Sequence, residues 1–227
     1  MSLNSQYLES LDRDSVREII CGINANRLAA YREATASDVE ALFLYQLSAR
    51  LSGLLLETVG GFEIVLRNAA AASIIDHVQR EDWYRARAFT RKLDDHRRQN
   101  IRDARKRLKN RGRDVDSGRV VAELTFHFWV ALHEKKYRRE FWIPFLRKIW
   151  PDGEDVKKLH RDLLKIRDLR NRIAHHEPVF APRWRTCSDI VLRRLEQLSP
   201  RQHAWLSERI HPELADVSAS IAAMLHE

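Results

Sequence analysis

Between Ser37 and Leu55 the apolar residues Leu44, Leu47, Leu51, Leu54 and Leu55 fall three and four residues apart, which lines one face of a long helix. Ser37-Asp38-Val39-Glu40 predicts its start, because a serine hydroxyl and a carboxylate three residues on can satisfy free backbone N–H groups reciprocally. Ser15-Val16-Arg17-Glu18 predicts another start by the same logic. Gly60-Gly61 predicts a break or a close contact, followed by a second helix from Phe62 to Val78. Within that second helix Glu63 and Arg67 stand four apart, in the favoured order for an ion pair, and Ala69 to Ala72 would permit close helix packing.

Further along, residues 91–113 turn basic, and Asn110-Arg111-Gly112 predicts the end of a polar helix with a loop to Ser117. Val120 to Leu132, apolar on most sides, predicts one central helix carrying Phe126, Phe128 and Trp129, which read as core rather than as a platform for stacked bases. Phe141 to Trp150 adds aromatic bulk around Pro144. Pro151-Asp152-Gly153 is a stop, with Asp152 the expected cap of the next helix, whose apolar stripe is Leu159, Leu163, Ile166 and Ile173. Ser199-Pro200 and His211-Pro212 predict two short final helices, each opening on proline. No internal repeat or low-complexity linker divides the 227 residues, so the expectation is a single all-α domain over 1–227.

Composition agrees with helices. Seven glycines and six prolines leave little room for a loop-rich β architecture, and 32% charged with 44% hydrophobic residues implies a core under a charged, soluble surface. A net charge of +8 favours a polyanionic partner without separating RNA, DNA and an anionic membrane. Cys21 and Cys187 lack C-x-x-C spacing, which argues against a zinc ribbon or a disulfide framework and for a reducing cytoplasm. No basic-then-apolar signal segment opens the chain, and Val120 to Leu132 is too short to span a bilayer, so no membrane association is expected. His127 and His133 do not have the H-E-x-x-H spacing of a metal site, and no P-loop, G-x-G-x-x-G or nucleophile elbow is present.

Chemistry concentrates in Arg170-Asn171-Arg172-Ile173-Ala174-His175-His176-Glu177-Pro178. Arginine can fork two donors onto phosphate oxygens, and histidine titrates near neutrality, so this stretch has the residue types needed to hold a phosphodiester and move its protons. The bare Arg-x4-His spacing is weak evidence, since Arg91 and His96 share it without a neighbouring amide or second histidine and read as a solvated face. Moving protons at a phosphodiester needs a base for the attacking group, an acid for the leaving oxygen and a cation for the phosphorane charge. His175 is the candidate for proton transfer, Arg170 for phosphate binding and Asn171 for orientation, with His176 either a second proton-transfer group or a packing residue.

The string R-N-R-I-A-H-H-E-P resembles the signature of the HEPN superfamily, and within it of the bacterial Abi-like (abortive infection) proteins. Ala41-Leu42 with Leu44-Tyr45, Phe62 to Asn68, and Ala122 to Phe126 with Phe128-Trp129 resemble Abi-like segments in the same order, so the likeness covers roughly Arg27 to Phe180. The family often carries Trp-Asn where this chain has Leu47-Ser48, and commonly a glycine where His127 stands. The resemblance implies a HEPN-type helical bundle with additional N-terminal and C-terminal helices. It implies metal-independent endoribonuclease activity without a cofactor, leaving a 2′,3′-cyclic phosphate and a 5′-OH, in a toxin or anti-phage effector under an antitoxin or trigger. It also implies a homodimer that pairs its signature helices.

Helix geometry complicates the assignment. Asn171 and His175 share a face, but Arg170 and His175 lie about 140° apart on an ideal helix, which places Arg170 beside the apolar stripe. There it needs an acceptor, for which Glu63, Asp162 or a bound phosphate are candidates, with Arg67 beside Glu63 in support. A helix ending near Ala174, or a second subunit, would ease convergence. The plainer alternative is that Arg170 and His175 simply complement the helix dipole. Likewise Arg97, Arg98, Arg102, Arg105, Lys106 and Lys109 either contact an RNA backbone or form a solvated helix face. A non-catalytic RNA-binding or scaffolding module, and a helical DNA-binding protein, are the competing functional readings.

Overall fold

The computed structural model describes residues 10–180 and 183–225, with the Arg183 side chain left out; the first nine residues, where a signal segment would begin, lie outside it. The fold is all-α, with no strand among the described residues. The principal helices are α1 (Arg13–Ile23), α2 (Ala25–Glu33), α3 (Asp38–Val78), α4 (Arg87–Thr90), α5 (Asp95–Asn110), α6 (Ser117–Glu123), α7 (Phe126–Ala131), α8 (Val156–Ala174), α9 (Arg183–Leu198) and α10 (Pro200–Leu225). Short 3-10 turns and one π turn (Arg138–Trp142) join α7 to α8. The described residues divide into two compact units, one within Met1–Val59, Leu169–Asp189 and Ala204–Glu227, the other within Gly60–Asp168 and Ile190–His203.

The leucine spacing of α3 is realised: Leu44, Leu47, Leu51, Leu54 and Leu55 are all buried. Ser37 Oγ accepts from the Glu40 amide at 3.2 Å, while the Glu40 carboxylate accepts from the Ala36 amide at 2.8 Å, one residue earlier than a capping box requires. Of the break or close contact expected at Gly60-Gly61, the break does not occur, and Gly60 has no close neighbour. Each glycine costs a helix only about 1 kcal/mol relative to alanine, and the buried side chains of Leu55, Val59, Phe62 and Leu66 on both sides hold the helix through it. α3 is thus the one described helix long and apolar enough to cross a membrane by length and composition, a property it shares with core helices.

Four other boundaries move for local reasons. α1 is capped by Asp12, whose carboxylate accepts from the Ser15 amide at 2.8 Å, so Ser15 lies inside the helix. Val120 to Leu132 is two helices rather than one, because Leu124 and Thr125 adopt extended backbone and Thr125 begins the second. α8 is capped by Asp155, not Asp152, with the Asp155 carboxylate accepting from the Lys157 amide at 2.8 Å. The final segment is a single helix in which Pro212 sits internally. Its missing donor is tolerated as buried Ile210, Val217 and Ile221 keep their face on the core.

In the second unit, aromatic side chains cluster in the interior among aliphatic ones. Phe62 meets Phe126 edge-on at 6.2 Å, Trp83 lies 5.9 Å from Trp129, and Phe89 tilts against Phe141 at 5.1 Å. Phe126, Phe128 and Trp129 are buried, as expected of core residues. Buried His133 accepts at Nε2 from the Trp150 indole N–H at 3.2 Å, while its Nδ1 lies 3.0 Å from the Trp129 carbonyl. Burial pushes its pKa down to about 4.

Candidate functional site

The signature segment begins on the last turn of α8 and leaves it through a compact C-terminal cap. Leu169 and Ile173 are buried, Arg170 is half-buried, and Asn171, Ala174 and His175 are exposed together, as 3.6-residue periodicity requires. The helix ends at Ala174, but the His175 amide still donates to the Asn171 carbonyl at 2.9 Å. The chain therefore turns one residue later, at His176, so ending the helix at Ala174 does not by itself bring His175 round to Arg170. Arg170, Asn171 and His175 have no side-chain hydrogen bond or ion pair among the described residues.

The turn is made by His176 at φ 55°, in the left-handed region that glycine usually occupies. The His176 amide donates to the Ile173 carbonyl at 3.0 Å and the Glu177 amide to the Arg172 carbonyl at 2.9 Å, the paired bonds of a Schellman motif. α5 ends the same way, with Gly112 at φ 64° and the Arg113 amide donating to the Leu108 carbonyl at 3.0 Å. Where α5 has glycine, α8 has histidine. The Arg172 side chain ties the turn down by donating to the Glu177 carboxylate at 3.1 Å and the Pro178 carbonyl at 3.0 Å.

Beside this turn, within the first unit, lies a cavity of about 490 Å³. Ile173, His176 and Glu177 line it from the signature, and Tyr45, Ser48 and Leu56 from α3. His175 is not among its walls, so of the two adjacent histidines it is His176 that faces the cavity. Tyr31, which also lines it, donates from its hydroxyl to Ser48 Oγ at 3.1 Å and meets the Tyr45 ring edge-on at 5.5 Å. Burial, then the adjoining Tyr45, raises the Tyr31 pKa against the opposing effect of Ser48.

Glu63 and Arg67 belong to the second unit, both half-buried, and Arg67 Nε is buried without a hydrogen-bond partner. Asp162 is committed elsewhere: its Oδ2 accepts from Arg194 at 2.7 Å and Arg193 at 3.1 Å. Arg194, 1% exposed and also 2.8 Å from Glu154, is a buried charge that reading for chemistry missed. Its spacing with Ile190, Val191 and Leu195 was the available signal, because it puts the arginine on the buried stripe of α9.

The cations of α5 separate by face. Arg97, 8% exposed, lines up with buried Ile101, Ala104 and Leu108 and points away from any solvated row. Arg98 is held by Asp95 and the Leu93 carbonyl, Arg102 by Gln99, and Arg105 lies over the Tyr84 ring at 5.7 Å with its Nε buried and unpartnered. Arg102, Lys106 and Lys109 are exposed. Arg91 and His96 are both exposed, consistent with a solvated pair. No group of three or more His, Cys, Asp or Glu among the described residues is arranged to hold a metal ion. Comparison with family models, curated proteins and solved structures gives no match to this chain.

Proposed function

We propose that this chain is a metal-independent endoribonuclease of HEPN type, acting in the cytoplasm as a toxin or anti-phage effector under an antitoxin or other inhibitory partner. The observation that carries the reading is the free end of α8: Asn171 and His175 are exposed on one face, and half-buried Arg170 has no acceptor among the described residues. A guanidinium uncommitted to any protein acceptor is free to fork its donors onto an anion, and a phosphodiester supplies one. In this reading Arg170 holds the scissile phosphate and stabilises charge on the phosphorane. Asn171 orients the phosphate, and His175 moves a proton between the 2′-OH and the leaving 5′-oxygen.

His175 has no group among the described residues to fix its ring, and it lies about 140° from Arg170 around the helix. Both gaps close if two copies pair their signature helices, so that each site takes its arginine and its histidine from different chains. The lack of an orienting partner for His175 also favours a second reading, a module that grips RNA without cutting it. Mixed single-stranded RNA separates the two. The nuclease leaves 2′,3′-cyclic phosphate ends and fails on a strand carrying a 2′-deoxy sugar at the cleaved position, whereas the binding module retains both strands uncut.

A further inference from the structure

Away from the signature, the second unit brings three donor-bearing side chains together at the half-buried imidazole of His127. Arg97 Nη2 lies 3.4 Å from His127 Nε2, and Arg167 Nη1 lies 3.4 Å from His127 Nδ1. A neutral imidazole has one lone pair, so it can accept from only one of these guanidiniums, and its N–H must face the donors of the other. Arg97 Nε, buried without a partner, adds a further unused donor. The carboxylates nearby do not resolve this. Glu134 takes Arg97 Nη2 at 3.0 Å, Asp94 stands 3.8 Å from Arg97 Nη1, and Asp168 takes the Nε and Nη2 of Arg167. The Asp168 pair joins adjacent residues at the surface, where such pairs contribute little.

We propose that Arg97, His127 and Arg167 form a phosphate-binding site. A phosphate group carries mainly acceptor oxygens near neutral pH, so it can accept from Arg167 Nη1 and the His127 N–H together, replacing the donor-to-donor contact with charge-assisted hydrogen bonds. The charged and titratable groups facing His127 are Arg97 and His96 from α5, Arg167 from α8, and Glu134. Burial, then the charges of Arg97 and Arg167, lower the His127 pKa. A bound phosphate adds negative charge beside the ring, which offsets the two guanidiniums and makes protonation easier.

The test is NMR of the histidine rings at constant ionic strength, with His127→Gln used to identify the His127 signals. The probes are inorganic phosphate, adenosine 5′-monophosphate and a short single-stranded oligoribonucleotide. The expected result is a saturable shift of the His127 signals with a raised titration midpoint, and affinity about tenfold or more weaker in Arg167→Gln. The probe that saturates at the lowest concentration tells a free phosphate from a nucleotide or an RNA backbone. Matched chloride should leave the signals in place. A response to phosphate no larger than to chloride overturns the site from the wild-type protein alone, and equal affinity in a folded Arg167→Gln protein overturns it independently.

Discussion

Arg172 and Glu177 are joined twice, by the Glu177 amide donating to the Arg172 carbonyl at 2.9 Å and by the Arg172 side chain donating to the Glu177 carboxylate at 3.1 Å. Between them His176 is held at φ 55°, where a non-glycine residue is strained by roughly 1–2 kcal/mol. His176→Gly should therefore raise the melting temperature by roughly 2–4 °C, while His176→Val should lower it by at least as much. Thermal unfolding by circular dichroism reads both. A His176→Gly protein less stable than wild type would mean that packing of the ring at the cavity outweighs the backbone strain.

Stability should fall with acid through His133. Its folded pKa of about 4 lies below the ordinary value of 6.5, so the unfolded chain binds its proton first. The contribution is complete above pH 6.5 and is lost as pH falls towards 4, on the order of 3 kcal/mol in all. Protonation would also set a ring N–H against the Trp150 indole N–H. Urea titrations at several pH values should show this slope, and His133→Gln should flatten it. An unchanged slope in that variant would assign the acid sensitivity to other groups.

Neutralising Arg102, Lys106 and Lys109 together should weaken RNA binding and reduce its salt dependence, by up to about 0.7 in the log–log slope for each phosphate no longer neutralised. These are the candidate cations of α5 that remain exposed once Arg97 is recognised as buried. Filter binding across a salt series measures it. A slope equal to wild type would leave the three as a solvated face.

If each active site draws on two chains, mixing inactive Arg170→Ala and His175→Ala proteins under subunit exchange should restore part of the activity. Co-purification of the untagged variant with a tagged partner variant checks that exchange occurred. An active monomer at assay concentration would rule out the pairing of signature helices.

Helix identity was legible wherever burial follows a 3.6-residue period, as along the leucines of α3 and the stripe Leu159, Leu163, Ile166 of α8. Continuity was less so. Gly60-Gly61 and Pro212 carry local penalties that buried neighbours on the same helix outweigh, while Leu124 and Thr125 leave the helix inside a run whose composition gives no warning. At the candidate site, the exposed face shared by Asn171 and His175 follows from spacing alone. The left-handed turn at His176 does not, because glycine is the residue that usually announces it. The basic run of α5 showed its charge in the sequence, but only its spacing with Ile101, Ala104 and Leu108 tells that Arg97 faces inward.

The most direct measurement is incubation of pure wild-type, His175→Ala and Arg170→Lys proteins with mixed RNA in EDTA. Cleavage by the wild type, its loss in His175→Ala, and a strong reduction in Arg170→Lys, which keeps the charge but not the bidentate geometry, are the results expected of the proposed nuclease. RNA bound but left intact by the wild type, or turnover unchanged in a folded His175→Ala protein, would contradict it.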